Sequence, residues 1–251
     1  MRFNPPADAL LRLLTGTLCI ATILLIFTAP IAPGAVGLSA PEIASTARPA
    51  ALPGTPVPIG PSFPTPIHHV VVVMMENSGL SQVLKGAPFE TYLWNDYAHA
   101  SAYYGLCHPS LGNYLAATSG VAIGCGTDNY YTYSLSNIAD LTSSQGLTWM
   151  SFAENMSAPC SAANSSVFSN VFTPLLHYKD IAGNASYCDG HILPVTAGGA
   201  WYQDINGTMP NFVWYAPNKL DNGHSSSLAT GDTWLKGWLS PLLNRSWAAS
   251  T

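Results

Sequence analysis

The sequence predicts an α/β protein, with three layers, α/β/α, around a mostly parallel sheet. Three observations carry that expectation. Four consecutive valines at 70–73 lie in an apolar run bounded by Pro66 and by Asn77, Ser78 and Gly79. A short, β-branched, continuously apolar run suits a strand buried on both faces, as in a parallel sheet covered by helices. Strand-like and helix-like segments then alternate along the chain. Finally, 251 residues, of which 48% are hydrophobic, are enough to bury a sizeable core.

Taken in order, the first strand is expected over residues 68–75. Residues 88–98 read as a helix, 100–104 as a short strand, and 110–118 as a helix ending at Gly120. A further helix is expected over 136–145, with Ser136 or Asn137 as N-cap and Gly146 as terminator. A strand follows over 147–153. The last strand is read at 211–216, and Asp232 opens a helix on which Trp234, Leu235, Trp238, Leu239 and Leu242 share one apolar face.

Upstream of these elements, Arg2 and Arg12 precede an uncharged apolar run over 13–31, followed by small residues. Residues 1–40 therefore read as either a cleaved signal peptide or a retained membrane anchor. The Pro/Ala-rich stretch 41–66 reads as a linker, and 67–251 as the folded domain. Both N-terminal readings place the domain outside the cytoplasm, secreted or anchored, with membrane contact through the first segment. Cysteine usage agrees. Cys19 falls in the apolar run, leaving Cys107, Cys125, Cys160 and Cys188, an even set suited to an oxidising compartment. Three pairings are open, with Cys107–Cys125 and Cys160–Cys188 the nearest partners in sequence. Asn155, Asn164, Asn184, Asn206 and Asn244 head glycosylation sequons, which matter only in a glycosylating host.

Charge excludes one class of partner. Only 8% of residues are charged, the net charge is −5, and the five Lys and Arg residues beyond residue 60 are scattered singly. Nucleic-acid binding requires clustered positive charge. A site handling phosphate would likewise lack an arginine cluster and would rely on a metal ion and backbone dipoles.

Three groups of residues carry candidate chemistry, each following an expected strand or opening a helix. Ligands of a doubly wound sheet bind beyond the carboxyl ends of its strands. Glu76 and Asn77 hold that position after the first strand, and a carboxylate beside an amide oxygen is a suitable pair of hard ligands for a divalent ion; the plainer alternative is a strand-end Glu and a turn-forming Asn. Ser110, in the run from Cys107 and His108 to Asn113, stands where a helix N-terminus welcomes phosphate oxygens; the plainer alternative is an N-cap. Asp221 and His224, three apart after the last strand, suit convergence on a metal or a phosphate oxygen; Asp-Asn-Gly is also simply a turn.

These motifs, in this order, resemble the phosphoesterase family of the alkaline phosphatase superfamily, which includes phospholipases C and acid phosphatases. The resemblance rests on residues 70–77, on His108-Pro-Ser-Leu-Gly-Asn-Tyr-Leu through Gly120, on 151–160, and on 217–235. It implies an alkaline-phosphatase-like fold and metal-dependent hydrolysis of phosphate esters through a phosphoserine intermediate. Glu76, Asn77 and Ser110 would hold the divalent metal with Asp221, and Ser110 would be the nucleophile. Asn113 would hold a phosphate oxygen, and His108 would shape the substrate site. Asp221 and His224 would touch substrate, and His224 would serve as proton donor.

The chain departs from the family pattern at three places. Gly112 replaces a usual Pro. Phe172 stands where relatives often carry His, and His177, expected at the surface, is the nearby imidazole. Relatives continue into a strand ending in Asp-Glu and a later His, so residues 67–251 are expected to be the N-terminal portion of the domain, with a sheet and metal site incomplete at the C-terminus. That departure motivates an alternative: a catalytically inactive surface protein that keeps the fold to bind a ligand or partner. The motifs do not fix the oligomeric state.

Overall fold

A computed structural model describes residues 67–245; the expected signal or anchor segment and the linker lie outside that range. Four strands, β1 (Val70–Val73), β2 (Trp149–Glu154), β3 (Ile192–Val195) and β4 (Phe212–Ala216), form one sheet in the order β1-β4-β2-β3. Every pairing is parallel, with Val73 opposite Tyr215, Phe152 opposite Tyr215 and Glu154 opposite Val195. Eight α-helices accompany it among the described residues: α1 (Leu80–Gly86), α2 (Pro88–Asp96), α3 (Leu111–Ser119), α4 (Ile138–Ser144), α5 (Lys179–Ala182), α6 (Ala185–His191), α7 (Ala200–Asn206) and α8 (Leu228–Leu243). None of them is long and apolar enough to cross a membrane.

The period-2 geometry of strands sorts the core into two halves. Val72, Met74, Trp149, Ala153, Phe212 and Trp214 face a layer that contains Leu111, Tyr114 and Leu115 of α3 and Ala139 of α4. Val71, Val73, Met75, Phe152, Val213 and Tyr215 face Phe89 of α2, Trp201 and Ile205 of α7, and Leu235, Leu239 and Leu242 of α8. Both strand faces are therefore apolar, as the valine run implied, and the fold is three-layered.

Local chemistry explains where the elements begin and end. Helix α4 starts at Asn137, whose side chain accepts the N–H groups of Ala139 and Asp140 while Asp140 reaches back, and Gly146 follows at φ 70°. Helix α3 ends at Gly120, at φ 72°. The strand expected at 100–104 does not form: those residues make a turn and irregular chain. Conversely, β3 escapes a reading by propensity because it contains Pro194. It is an edge strand bonded only to β2, the position where a missing N–H is tolerated. Helix α8 begins four residues before Asp232, capped by the Ser227 side chain.

Two disulfides are present, Cys107–Cys125 and Cys160–Cys188. The first explains Gly112. A Cβ at that position would stand 2.5 Å from Cys107 Sγ and 2.8 Å from Cys125 Sγ, so α3 carries the bridge against its own backbone.

Candidate active site

The carboxyl end of the sheet gathers the functional side chains. Glu76 lies three residues beyond β1 and continues the parity of Val72 and Met74, so it emerges on the α3 side of the sheet. There it is buried at 6% exposure, and its Oε1 accepts the Tyr114 hydroxyl at 2.6 Å. Burial dominates and pushes the Glu76 pKa from 4.5 up to about 7; the Tyr114 hydroxyl opposes this, the charge of Asp128 adds to it, and the Ser110 hydroxyl opposes it. A buried carboxyl without a cationic side chain beside it is the kind of group that a bound cation would stabilise in its ionised form.

Ser110 immediately precedes α3. Its backbone is helical, φ −62° and ψ −37°, and its side chain caps nothing. The expected alternative role, that of an N-cap, is therefore not the one it plays. The opening N–H of the helix, on Leu111, donates instead to Asp128 Oδ1 at 2.9 Å. Asp128 is the residue that motif reading missed; an isolated Asp in a Gly-rich loop carries no spacing signal. Its charge also acts on Tyr114, His177 and His224.

The loop after β4 closes the site from above. Asn222 is buried at 1% exposure, its carbonyl accepts Glu76 N–H at 2.8 Å, and its Oδ1 accepts His224 N–H at 2.8 Å. Gly223, at φ 86°, passes over Glu76 so closely that a Cβ there would stand 3.6 Å from the Glu76 carbonyl oxygen. The His224 ring lies 5.8 Å from that of Phe172, which lies 5.9 Å from that of Tyr114. Glu76, Ser110 and His224 thus lie toward one end of the α3 face, while Asn77 follows Glu76 as an exposed residue at φ 59°. Burial lowers the His224 pKa, Lys219 adds to the lowering, and Asp128 opposes it.

Asp221 does not join them. Its Oδ2 accepts the Asn218 side-chain amide at 2.6 Å, and it hydrogen-bonds Glu154. Glu154 in turn accepts Tyr215 Oη at 3.0 Å and Asn218 N–H at 3.0 Å. Tyr215 belongs to the core half that faces α7 and α8, so the loop sends Asp221 to one face of the sheet and His224 to the other. The expectation set Asp221 beside Ser110 as a metal and substrate contact; its hydrogen-bond partner is Asn218, within the Glu154 network.

Asn113 also differs from expectation. It is buried, with Oδ1 accepting Leu106 N–H at 2.6 Å and Cys107 N–H at 3.3 Å, while Nδ2 donates to Cys107 O at 2.8 Å and Ser110 O at 3.4 Å. An amide so committed braces the loop before Ser110 and has no free donor for a phosphate oxygen. His108 is exposed on that loop, where its carbonyl accepts Gly126 N–H at 2.9 Å. His177, expected at the surface, is fully buried, and its ring nitrogens face the carbonyls of Tyr131 at 2.9 Å and Asn170 at 3.3 Å. It therefore does not replace the imidazole absent at Phe172.

A hard divalent ion prefers oxygen donors, and the Glu76 carboxylate, the Asn77 amide and the Ser110 hydroxyl are of that kind. They fit such an ion chemically. Among the described residues no group of three or more His, Cys, Asp and Glu side chains converges on one point, so these donors make a partial set.

Comparison with known proteins covers the segments of Ser110 and His224, the family match beginning after Glu76 and Asn77. The model of the phosphoesterase family matches residues 84–251. An acid phosphatase of Aspergillus fumigatus is 25% identical over 156 residues, covering 58% of this chain and 34% of the relative. A probable acid phosphatase of Kluyveromyces lactis is 27% identical over 154 residues, 56% of this chain and 35% of the relative. A phosphatidylinositol-3-phosphatase of Mycobacterium tuberculosis is 30% identical over 189 residues, 72% of this chain and 58% of the relative. The chain thus spans about a third of the length of the two fungal relatives.

Proposed function

The chain belongs to the phosphoesterase family, and on that premise we propose that it hydrolyses phosphate esters with Ser110 as nucleophile. One observation carries the reading: Ser110 opens a helix without capping it, at the end of the sheet where the buried Glu76 carboxyl lies and feels its hydroxyl. A hydroxyl so placed is free to react and sits at the positive end of the helix dipole.

In this reading the Ser110 hydroxyl gives up its proton to solvent as its oxygen attacks phosphorus, and the P–O bond to the departing alcohol breaks. The alcohol oxygen takes a proton from the imidazolium form of His224, an exposed residue of the loop after β4. Water then hydrolyses the phosphoserine, releasing phosphate and restoring the hydroxyl. The phosphoryl group carries its charge on equatorial oxygens; with no arginine nearby, the positive end of the α3 dipole supplies part of the compensation. Glu76, Asn77 and Ser110 would hold a divalent ion, which would supply further positive charge there. Asn113 and Asp128 hold the loop geometry, and Asp221 contributes through Glu154 on the other face.

The acid phosphatase relatives support a phosphate ester as substrate. The two disulfides support an oxidising, extracytoplasmic compartment. The test is hydrolysis of a chromogenic phosphate monoester by the full-length protein. Turnover abolished by Ser110→Ala and by a chelator is the expected result. Turnover that survives in Ser110→Ala would remove Ser110 as nucleophile.

A further inference from the structure

We infer that Asp128 is a positioning residue of this site: by accepting the opening N–H of the Ser110 helix it leaves the Ser110 hydroxyl free for chemistry, and the Cys107–Cys125 disulfide is the clip that delivers it. The inference rests on the reading of Ser110 as nucleophile.

A serine at the start of a helix ordinarily folds its hydroxyl back onto a backbone N–H within the first turn. Ser110 makes no such bond. The carboxylate that takes the Leu111 N–H comes from 17 residues further along the chain. A negative group at this point also suits the dipole of a nine-residue helix. The capping work is thus moved from the nucleophile to a partner outside the helix.

The covalent path explains how a distant loop achieves this. Cys107 lies three residues before Ser110 and Cys125 three before Asp128, so joining the two cysteines sets the segments side by side in matching register. The Gly126 N–H to His108 carbonyl bond, at 2.9 Å, adds a second rung, and Asn113 fastens Leu106 and Cys107 from below. Gly112 leaves room for both sulfurs against α3. From Gly120 to the bridge at Tyr133 the chain forms no helix or strand. Beyond these rungs the loop is held nearer its far end, where Tyr130 Oη donates to the Leu176 carbonyl at 3.1 Å and the Tyr131 carbonyl meets His177 Nδ1 at 2.9 Å, and Ile123 packs against the core.

The clip is also chemically addressable. Cys125 is exposed, whereas Cys188 of the other disulfide is fully buried. A small dithiol reduces the bridge by giving up two electrons and closing to its own disulfide. The S–S bond breaks, and Cys107 and Cys125 each take one proton. Reduction therefore releases Asp128 from the helix tip.

The experiment measures kcat and KM for a chromogenic phosphate ester in wild type, Asp128→Ala, Asp128→Asn, Cys107→Ser/Cys125→Ser and the combined variant, with melting temperatures in parallel. Asp128→Ala and the double-serine variant are each expected to lower kcat by about tenfold, the scale of a mispositioned reacting group, with KM unchanged within about twofold. The combined variant loses no more than either alone, because both act through one contact. Asp128→Asn, whose amide oxygen still accepts the Leu111 N–H, recovers most of the loss; dithiol treatment reproduces it in wild type, and reoxidation reverses it. If Asp128→Ala does not fold, Asp128→Ser takes its place, with an expected kcat between those of the Asn variant and the double-serine variant. Wild-type kcat in the Ala or Ser variant, an Asn variant as impaired as either, or losses that multiply in the combined variant would each overturn the inference. A wild type with no turnover, or turnover surviving Ser110→Ala, would instead strike the nucleophile reading.

Discussion

Glu76 and Glu154 stand at the same end of one parallel sheet, one on each side of the β4 loop, and burial raises the pKa of both. They differ in what answers that burial. Glu154 is met by Tyr215, by the Asn218 backbone and amide, and by the carboxyl of Asp221 with which it interacts directly. Glu76 is met by two hydroxyls, from Tyr114 and Ser110, with the Asp128 charge nearby. The first is a closed network, satisfied by its own protein. The second is left short of positive charge and faces a hydroxyl that caps nothing. Two acids at one end of the sheet, Glu76 the more deeply buried, thus stand in a closed network on one face and beside the proposed nucleophile on the other.

Substitutions on the two faces should separate accordingly. The largest effect is expected on the α3 face: Ser110→Ala and Glu76→Ala should each lower kcat for a chromogenic ester by a factor of about 100 or more, the scale of losing a nucleophile or a main electrostatic contact. His224→Ala should lower it by roughly 100-fold, as for a general acid, with partial recovery on esters of acidic phenols that leave without a proton. Asp221→Asn should lower kcat by less than about tenfold and act mainly on folding, since removing one carboxyl of a buried pair alters stability through the other; steady-state kinetics beside thermal melting checks this. A loss in Asp221→Asn as large as in Ser110→Ala would break the comparison.

A third buried acid calibrates the argument away from either site. Glu90 is 3% exposed, neither of its oxygens has a hydrogen-bond partner, and its neighbour is Asp232, whose carboxylate accepts the N–H groups of Phe89 and Glu90 at the start of α2. Burial, and then Asp232, raise its pKa from 4.5 to about 7. A carboxyl with a raised folded-state pKa contributes stability that is complete below about 4.5 and lost as pH rises through about 7. The corresponding free energy is up to about 3 kcal/mol. Wild-type melting temperature should fall between about pH 5 and pH 8, and Glu90→Gln should flatten that decline while leaving kcat near its wild-type value. A smaller effect is expected at Gly112, where Ala should lower the melting temperature by a few degrees and do so less when Cys107 and Cys125 are both Ser.

Much of this was legible in the residues. The valine run at 70–73 and the apolar segment at 211–216 announced two-faced burial, and Gly120 and Gly146 marked helix ends because only a residue tolerant of positive φ fits there. What escaped depended on partners distant in sequence. Residues 100–104 had strand composition but no strand to pair with, while β3 hid behind Pro194, which only its edge position makes tolerable.

The same lesson holds in the site. Glu76, Ser110 and His224 were singled out because each follows or opens a regular element. Asp221 was misplaced because its turn can direct a side chain to either face of the sheet, and three residues of spacing do not choose. Strand parity held a clue: Glu76 continues the Val72 and Met74 face, whereas Glu154 continues the Phe152 face. Asp128 had no local signal, since its role is created by a disulfide whose pairing the sequence left open among three.

The claim at the centre is that Ser110 is the atom donor that accepts the phosphoryl group. The direct measurement is acid quenching during turnover of a phosphate ester, followed by mass spectrometry of the peptide that contains Ser110. The account predicts one added phosphoryl group on Ser110, and none in Ser110→Ala. Steady turnover with an unmodified Ser110 under the same quench, or with the phosphoryl group on another side chain, would contradict it.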